Sequence, residues 1–164
     1  MKKTISVIAL SIPTLFFIFL ISSCKKDNNN NTTPPPQDVV YHINATLSGA
    51  NEVPANSTTG SGTVTGTYDS TTRLLTYTAT WSGLTGAATA GHFHSPALPG
   101  TNANPLVFFL LQNSQTSPNS GTASGSATLS PTQEADLFAG KFYANIHTAA
   151  NGGGEIRGQV STSK

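Results

Sequence analysis

The sequence predicts an all-β domain, either a sandwich or a barrel, with one short helix. Apolar residues come in short runs that alternate with polar residues, and turns separate these runs. Threonine, serine, glycine and asparagine are abundant, and a helical stripe of apolar residues is nearly absent. These observations favour strands along most of the chain from residue 39 onward.

Six strands are expected ahead of the helix, over residues 39–48, 63–68, 73–81, 89–94, 106–111 and 122–129. Side chains two residues apart share one face of a strand, so several of these strands present an apolar row to the core. That row is expected to contain Tyr41, Ile43, Leu47, Leu75, Tyr77, Ala79 and Trp81. In the fourth strand, His92 and His94 face one side and Phe93 the other. The continuous apolar run over 106–111 is typical of a strand buried on both faces.

A helix is predicted over residues 131–138. Ser130 provides an N-cap, Pro131 suits the first helical position, and Gln133 completes a capping box. Leu137 and Phe138 are expected to be buried. Gly140 is expected to end the helix, because glycine readily adopts the left-handed conformation of a C-cap.

The last predicted element is a β-hairpin over residues 141–160, with a glycine-rich turn. In its first strand, Tyr143, Asn145 and His147 alternate with apolar residues, and in its second strand polar and apolar residues alternate again. The polar row of the second strand consists of Glu155, Arg157 and Gln159. This row combines an imidazole, amides, a carboxylate and a guanidinium, so it is the main candidate for chemistry in the chain.

The two halves of the domain resemble each other weakly. A glycine-threonine strand precedes His92 and His94, and a second such strand precedes Asn145 and His147. Two halves of this kind suit a Greek-key layout. Shared strand composition explains the similarity equally well.

Three histidines could form a metal site. His92 and His94 are neighbours on one face of a strand, about 7 Å apart along the chain. If His147 lies on an adjacent strand, three imidazoles converge, and Glu52 or Glu155 could add an oxygen ligand for zinc or copper. The alternative is a structural network in which these polar groups satisfy one another by hydrogen bonds.

The N-terminal segment resembles a bacterial lipoprotein signal peptide over residues 1–23, with lipidation of Cys24. The alternative is an uncleaved membrane anchor. Residues 24–38 then form a flexible asparagine- and proline-rich tether, and residues 39–164 form the domain. These features predict a protein of the bacterial cell envelope, attached to a membrane by its lipid and extracytoplasmic, with the outer membrane or cell surface as the expected place.

Charge and cysteine content exclude several classes of function. From residue 38 onward, four basic residues face six acidic ones, which is not the basic footprint of a nucleic-acid-binding protein. Cys24 is the only cysteine, so after lipidation no thiol remains for a disulfide or thiolate metal site. The chain also lacks a Gly-x-Ser-x-Gly elbow, a phosphate-binding loop and a His-Glu-x-x-His motif.

Four blocks of the sequence together resemble the chordin-type (CHRD) domain. They are residues 47–54 (LSGANEVP), 91–94 (GHFH), 143–148 (YANIHT) and 153–159 (GGEIRGQ). The resemblance implies an immunoglobulin-like or related β-sandwich, and it marks Glu52, Pro54, His92, His94, Asn145, His147, Glu155, Arg157 and Gln159. Ala55, Phe93 and Ser95 depart from the family pattern, but none of them removes a polar group.

The sequence therefore predicts a binding or adhesion module for an unidentified extracellular or periplasmic ligand, and it leans against an enzyme. The alternative is a zinc- or copper-binding protein that uses His92, His94 and His147, with redox activity if the ion is copper. In both cases six side chains are expected on one surface: His92, His94, Asn145, His147, Glu155 and Arg157.

Overall fold

A computed structural model describes residues 39–164, which form one compact unit. The predicted signal peptide, Cys24 and the tether lie outside the described residues. Within residues 39–164, no helix combines the length and the hydrophobicity needed to cross a membrane. The elements are β1 (Val40–Ser48), a 3-10 turn (Gly49–Asn51), β2 (Ser61–Asp69), β3 (Leu74–Ser82), β4 (Ala88–His94), β5 (Pro105–Phe108), β6 (Leu111–Asn113), β7 (Gly121–Thr128), α1 (Pro131–Phe138), β8 (Tyr143–Thr148), β9 (Ile156–Gln159) and β10 (Ser161–Ser163).

The strands form one antiparallel sheet in the order β5-β4-β8-β9-β1-β2-β3-β7-β6, and β10 pairs with β1 beside β9. The sheet curls so that β6, at one end, lies against β4, near the other end. At this seam the Asn113 side chain bonds both backbone groups of Ala88, and the Phe109 N–H extends the β4–β5 pairing by donating to the Gly91 carbonyl at 2.9 Å. The predicted all-β fold with one short helix is confirmed, in the form of a curled half-barrel.

The inner face of the sheet forms the core. All the residues predicted for the apolar row are buried except Tyr41, which is half-buried and packs against the core. Two glycines of β7 give room for large core side chains: a Cβ at Gly121 would meet the Trp81 ring, and one at Gly125 would meet the Tyr77 hydroxyl. This close approach explains why a glycine-rich strand can be an interior strand of the sheet.

The prediction of one fully buried strand over 106–111 is wrong. The chain leaves β5 at Phe108 and enters β6 at Leu111, and these two strands lie at opposite ends of the sheet. Phe109 points into the core, whereas Phe108 and Leu110 are 67% and 76% exposed. The apolar run spans the seam between two edge strands, so only part of it is covered.

The helix prediction is confirmed in its bounds and its caps. Ser130 accepts from the Gln133 N–H, and the Gln133 side chain accepts from the Ser130 N–H, which completes the capping box. Gly140 follows with a φ of +67°. Leu137 is buried, but Phe138 is 40% exposed, so the prediction for that ring is wrong.

Candidate functional site

The candidate site lies on the outer face of β4 and β8. Phe93 enters the core, so its neighbours His92 and His94 point to the opposite face. Strand β8 pairs with β4 so that Asn145 is directly opposite His92, and His147 is opposite Ala90. Since directly paired residues share a face, both histidines of β4 and the polar row of β8 meet on one surface.

The three imidazoles converge as the sequence analysis expected. One ring nitrogen from each of His92, His94 and His147 lies within 4.8 Å of the corresponding nitrogen of the other two. His92 and His94 are buried and His147 is half-buried. The ring centroids of His92 and His147 are 5.0 Å apart, and those of His92 and His94 are 5.4 Å apart.

Hydrogen bonds fix the orientation of two of the rings. The Nδ1 of His94 lies 2.9 Å from the Ala103 carbonyl, and the Nδ1 of His147 lies 3.0 Å from the Gly152 carbonyl. A carbonyl oxygen only accepts, so both Nδ1 atoms carry the proton. In a neutral ring the proton is then absent from Nε2, and both Nε2 lone pairs are directed into the cluster, each 3.0 Å from Asn145 Oδ1.

Burial keeps the three rings neutral. It lowers the pKa of His92 to about 4, and the neighbouring His147 and His94 act in the same direction. Burial also lowers the pKa of His94 and of His147, against opposing hydrogen bonds to backbone carbonyls. At neutral pH the cluster therefore presents uncharged imidazoles, the form that binds a metal ion.

Glu52 lies at the edge of the cluster. It is buried, and its Oε1 has no hydrogen-bond partner among the described residues. Burial raises the pKa of Glu52 to about 7, although Arg157, the Val53 N–H and the Asn145 side chain oppose this rise. A Cβ at Gly154 would collide with Glu52 Oε1 and lie 2.8 Å from Asn145 Nδ2, so glycine lets the two side chains approach each other.

Arg157 is fully buried beside the cluster. It pairs with Asn145 across β8 and β9, and its guanidinium lies 3.4 Å from the centroid of the Tyr143 ring. The other side of Tyr143 stacks on His94, with ring centroids 4.4 Å apart and nearly parallel planes. The Nη1 of Arg157 donates to Asn102 and its Nη2 to the Thr101 carbonyl. Arg157 therefore supports the cluster through the Tyr143 ring, which lies between the guanidinium and His94.

Glu155 does not join the histidines. Its carboxylate accepts hydrogen bonds from Thr58, Thr85, Thr148 and Asn151 at distances of 2.6–3.1 Å. Strand β9 begins only at Ile156, after Gly154 at a φ of +131°, so Glu155 does not follow the alternation of the strand. The expectation that six side chains share one surface thus holds for five of them.

Gln159 also has a supporting position. Its amide donates to the carbonyls of Ala97 and Gly140, at 2.8 Å and 2.7 Å, and so ties two loops to β9. Sequence reasoning assigned no role to Tyr143, although it belongs to the same alternating row as Asn145 and His147. The period-2 pattern was the available signal for placing that ring beside His94.

Comparison with known proteins agrees with the resemblance noted in the sequence. The model of the CHRD domain family matches residues 43–160, which is most of the chain and all of the sheet except the first three residues of β1 and the short strand β10. No curated protein gives a significant match. No solved structure gives one either. The matched region contains the whole candidate site, and the chain belongs to the CHRD domain family.

Proposed function

We propose that this chain is an extracytoplasmic binding module, anchored to the cell envelope by a lipid on Cys24, that binds one zinc or copper ion through His92, His94 and His147. The observation that carries this proposal is the convergence of three ring nitrogens within 4.8 Å of one another. Among the functions considered, metal binding makes the most specific use of that arrangement.

The donor set fits a first-row transition metal. Neutral imidazole is a preferred ligand of both zinc and copper. In known sites the second ring nitrogen of a ligating histidine donates to a carbonyl or carboxylate, which fixes the tautomer. His94 and His147 already have this arrangement, with Ala103 and Gly152 as the acceptors.

Binding requires a small inward movement. Zinc–nitrogen bonds of 2.0–2.1 Å in a tetrahedron place neighbouring ligand atoms about 3.3 Å apart. The three ring nitrogens of the cluster are up to 4.8 Å apart, so they must come closer together. His92 is the ring least restrained by hydrogen bonds, because its buried Nδ1 has no hydrogen-bond partner within residues 39–164. We expect His92 to turn inward when the ion binds.

A purely structural network is the competing explanation. If the Asn145 amide is reversed, its Nδ2 group can donate to the Nε2 atoms of His94 and His147 without any metal. An adhesion module with an organic ligand would also be compatible with such a network. Both alternatives predict that the cluster has no preference for transition metals over calcium or magnesium.

The test is a metal titration of the full chain, purified in detergent with an affinity tag that contains no histidine. Isothermal titration calorimetry with Zn²⁺ and Cu²⁺ should give one site per chain. His147→Ala should weaken binding by at least about 10–100-fold. His42→Ala is the matched control, because His42 is the one remaining histidine and is exposed on β1.

Equal binding by wild type, His147→Ala and His42→Ala, or no binding at all, would contradict the proposal. The membrane attachment is tested separately by fractionation of cells, so a failure of the anchor and a failure of the metal site are distinguishable.

A further inference from the structure

A lone-pair conflict lies at the centre of the histidine cluster. Asn145 Oδ1 is 3.0 Å from the Nε2 atoms of both His94 and His147. Both rings carry their proton on Nδ1, because that atom faces a backbone carbonyl. Two nitrogen lone pairs and an amide oxygen therefore face one another with no proton between them.

Three arrangements can relieve this conflict. The first is a second proton on one of the rings, which would place an unpaired positive charge inside the cluster, where His94 is buried. The second is a reversed Asn145 amide, which places Oδ1 where Nδ2 now stands, beside the carboxylate of Glu52. If Glu52 is ionised, that exchanges one contact between two acceptors for another, whereas a protonated Glu52 could donate to the reversed Oδ1 and relieve the conflict without an ion. The third is a cation among the acceptors.

We infer that Asn145 is the fourth ligand of the ion, so that the site is a closed tetrahedral set of three imidazole nitrogens and the Oδ1 of Asn145, with zinc as the preferred ion. This inference rests on the proposed function and deepens it. Two ligand atoms of a tetrahedral zinc ion lie about 3.3 Å apart. The distance of 3.0 Å between Oδ1 and each Nε2 is within a few tenths of an ångström of this value. Asn145, His94 and His147 therefore need almost no movement to bind the ion.

Glu52 holds the amide in the ligating orientation. With Oδ1 directed at the histidines, Nδ2 is directed toward the side of Glu52, next to Gly154. In its ionised form, Glu52 only accepts, so it favours the nitrogen side of the amide over the oxygen side. Its negative charge also lies close to the bound cation, which four neutral ligands alone do not compensate.

The closed set has a functional consequence. Catalytic zinc sites keep an open position for water or substrate, whereas four protein ligands leave none. This geometry therefore predicts a protein that holds zinc, and not a zinc hydrolase.

The test uses Co²⁺ as a spectroscopic probe, with azide as the small anion that occupies open coordination positions. Wild-type protein loaded with Co²⁺ should show a visible absorption spectrum that azide leaves unchanged. Asn145→Ala should bind Co²⁺ at least about tenfold more weakly and should acquire a spectrum that azide alters. Asn44→Ala, an exposed amide on β1, is the matched control and should behave as wild type.

Asn145→Asp keeps the size of the side chain and guards against misfolding of the alanine variant. It supplies a charged oxygen in the same position, so it should bind Co²⁺ and Zn²⁺ more tightly than wild type and remain insensitive to azide. An azide response in wild type equal to that of Asn145→Ala would overturn the inference while leaving the metal site intact. Absence of Co²⁺ and Zn²⁺ binding in wild type would instead remove the proposed function itself.

Discussion

Glu155 is predicted to be a major source of stability, and Glu155→Gln is the substitution that tests this. The side chain is completely buried, and its two oxygens accept five hydrogen bonds from Thr58, Thr85, Thr148 and Asn151. Glutamine has the same size but only one acceptor oxygen. Its NH₂ group would replace one oxygen and face donors there, either the Thr85 backbone N–H on the Oε1 side or the Asn151 amide on the Oε2 side, and those donors would be left unpaired.

The magnitude follows from the pKa of the carboxyl. Burial alone would raise the pKa of Glu155, but hydrogen bonds from Thr148, Thr85 and Thr58 outweigh burial and lower it to about 2, from an ordinary 4.5. At 1.36 kcal/mol per pKa unit, this difference corresponds to about 3 kcal/mol of stability at neutral pH. A lowered pKa means that the unfolded chain binds more protons, so this stability is present above pH 4.5 and is lost as the pH falls toward 2.

The assay is urea unfolding of both proteins at pH 7 and at steps between pH 5 and pH 2. At pH 7 the variant should lose about 3 kcal/mol of unfolding free energy, and the difference between the two proteins should shrink as the pH falls. Glu134→Gln is the matched control. Glu134 lies in the first turn of α1, where a carboxylate contributes about 0.3–1 kcal/mol through the helix dipole.

Two results would refute this reasoning about Glu155. One is a loss at pH 7 no larger than that of Glu134→Gln. The other is a large loss that stays constant between pH 5 and pH 2, because it would show that shape and not charge is responsible.

Two further predictions concern the support of the site and the anchor. Arg157→Lys should lower the free energy of unfolding by about 2–3 kcal/mol in urea denaturation, because lysine cannot donate to Asn102 and Thr101 together while covering the Tyr143 ring; a loss under 1 kcal/mol would contradict that role. Cys24→Ala should move the protein out of the membrane fraction and abolish labelling by a fatty-acid analogue, whereas unchanged fractionation with no labelling in wild type would show that the anchor is not a lipid.

Local alternation made much of the site predictable. The pleat of a strand forces His92 and His94 to one face when Phe93 enters the core, whatever the rest of the fold does. The same rule placed Asn145 and His147 together on β8. The capping box of α1 was equally predictable, since Ser130, Pro131 and Gln133 interact within one turn of the helix.

Long-range pairing was not predictable in the same way. The 106–111 segment looks like a buried strand, and only the seam between the two ends of the sheet explains why Phe108 and Leu110 are exposed. Alternation also failed at Glu155, because this residue precedes β9 and follows Gly154, which has a positive φ. Two of the threonines that bond its carboxylate, Thr58 and Thr85, come from loops far away in the sequence, so no local pattern indicates them.

The role of Asn145 depends on atoms that the sequence does not place. Its residue type and face were predicted, but the conflict between its Oδ1 and the two Nε2 atoms depends on where the Ala103 and Gly152 carbonyls lie. Those carbonyls belong to a loop and a turn, whose conformations the strand pattern does not determine.

The most direct measurement of the central claim is anomalous diffraction from crystals of the zinc-loaded protein, recorded on both sides of the zinc absorption edge. A single zinc peak about 2.0–2.1 Å from one ring nitrogen each of His92, His94 and His147 is the predicted result. A zinc-loaded crystal with no peak between these rings, or with its peak at His42 instead, would contradict the account.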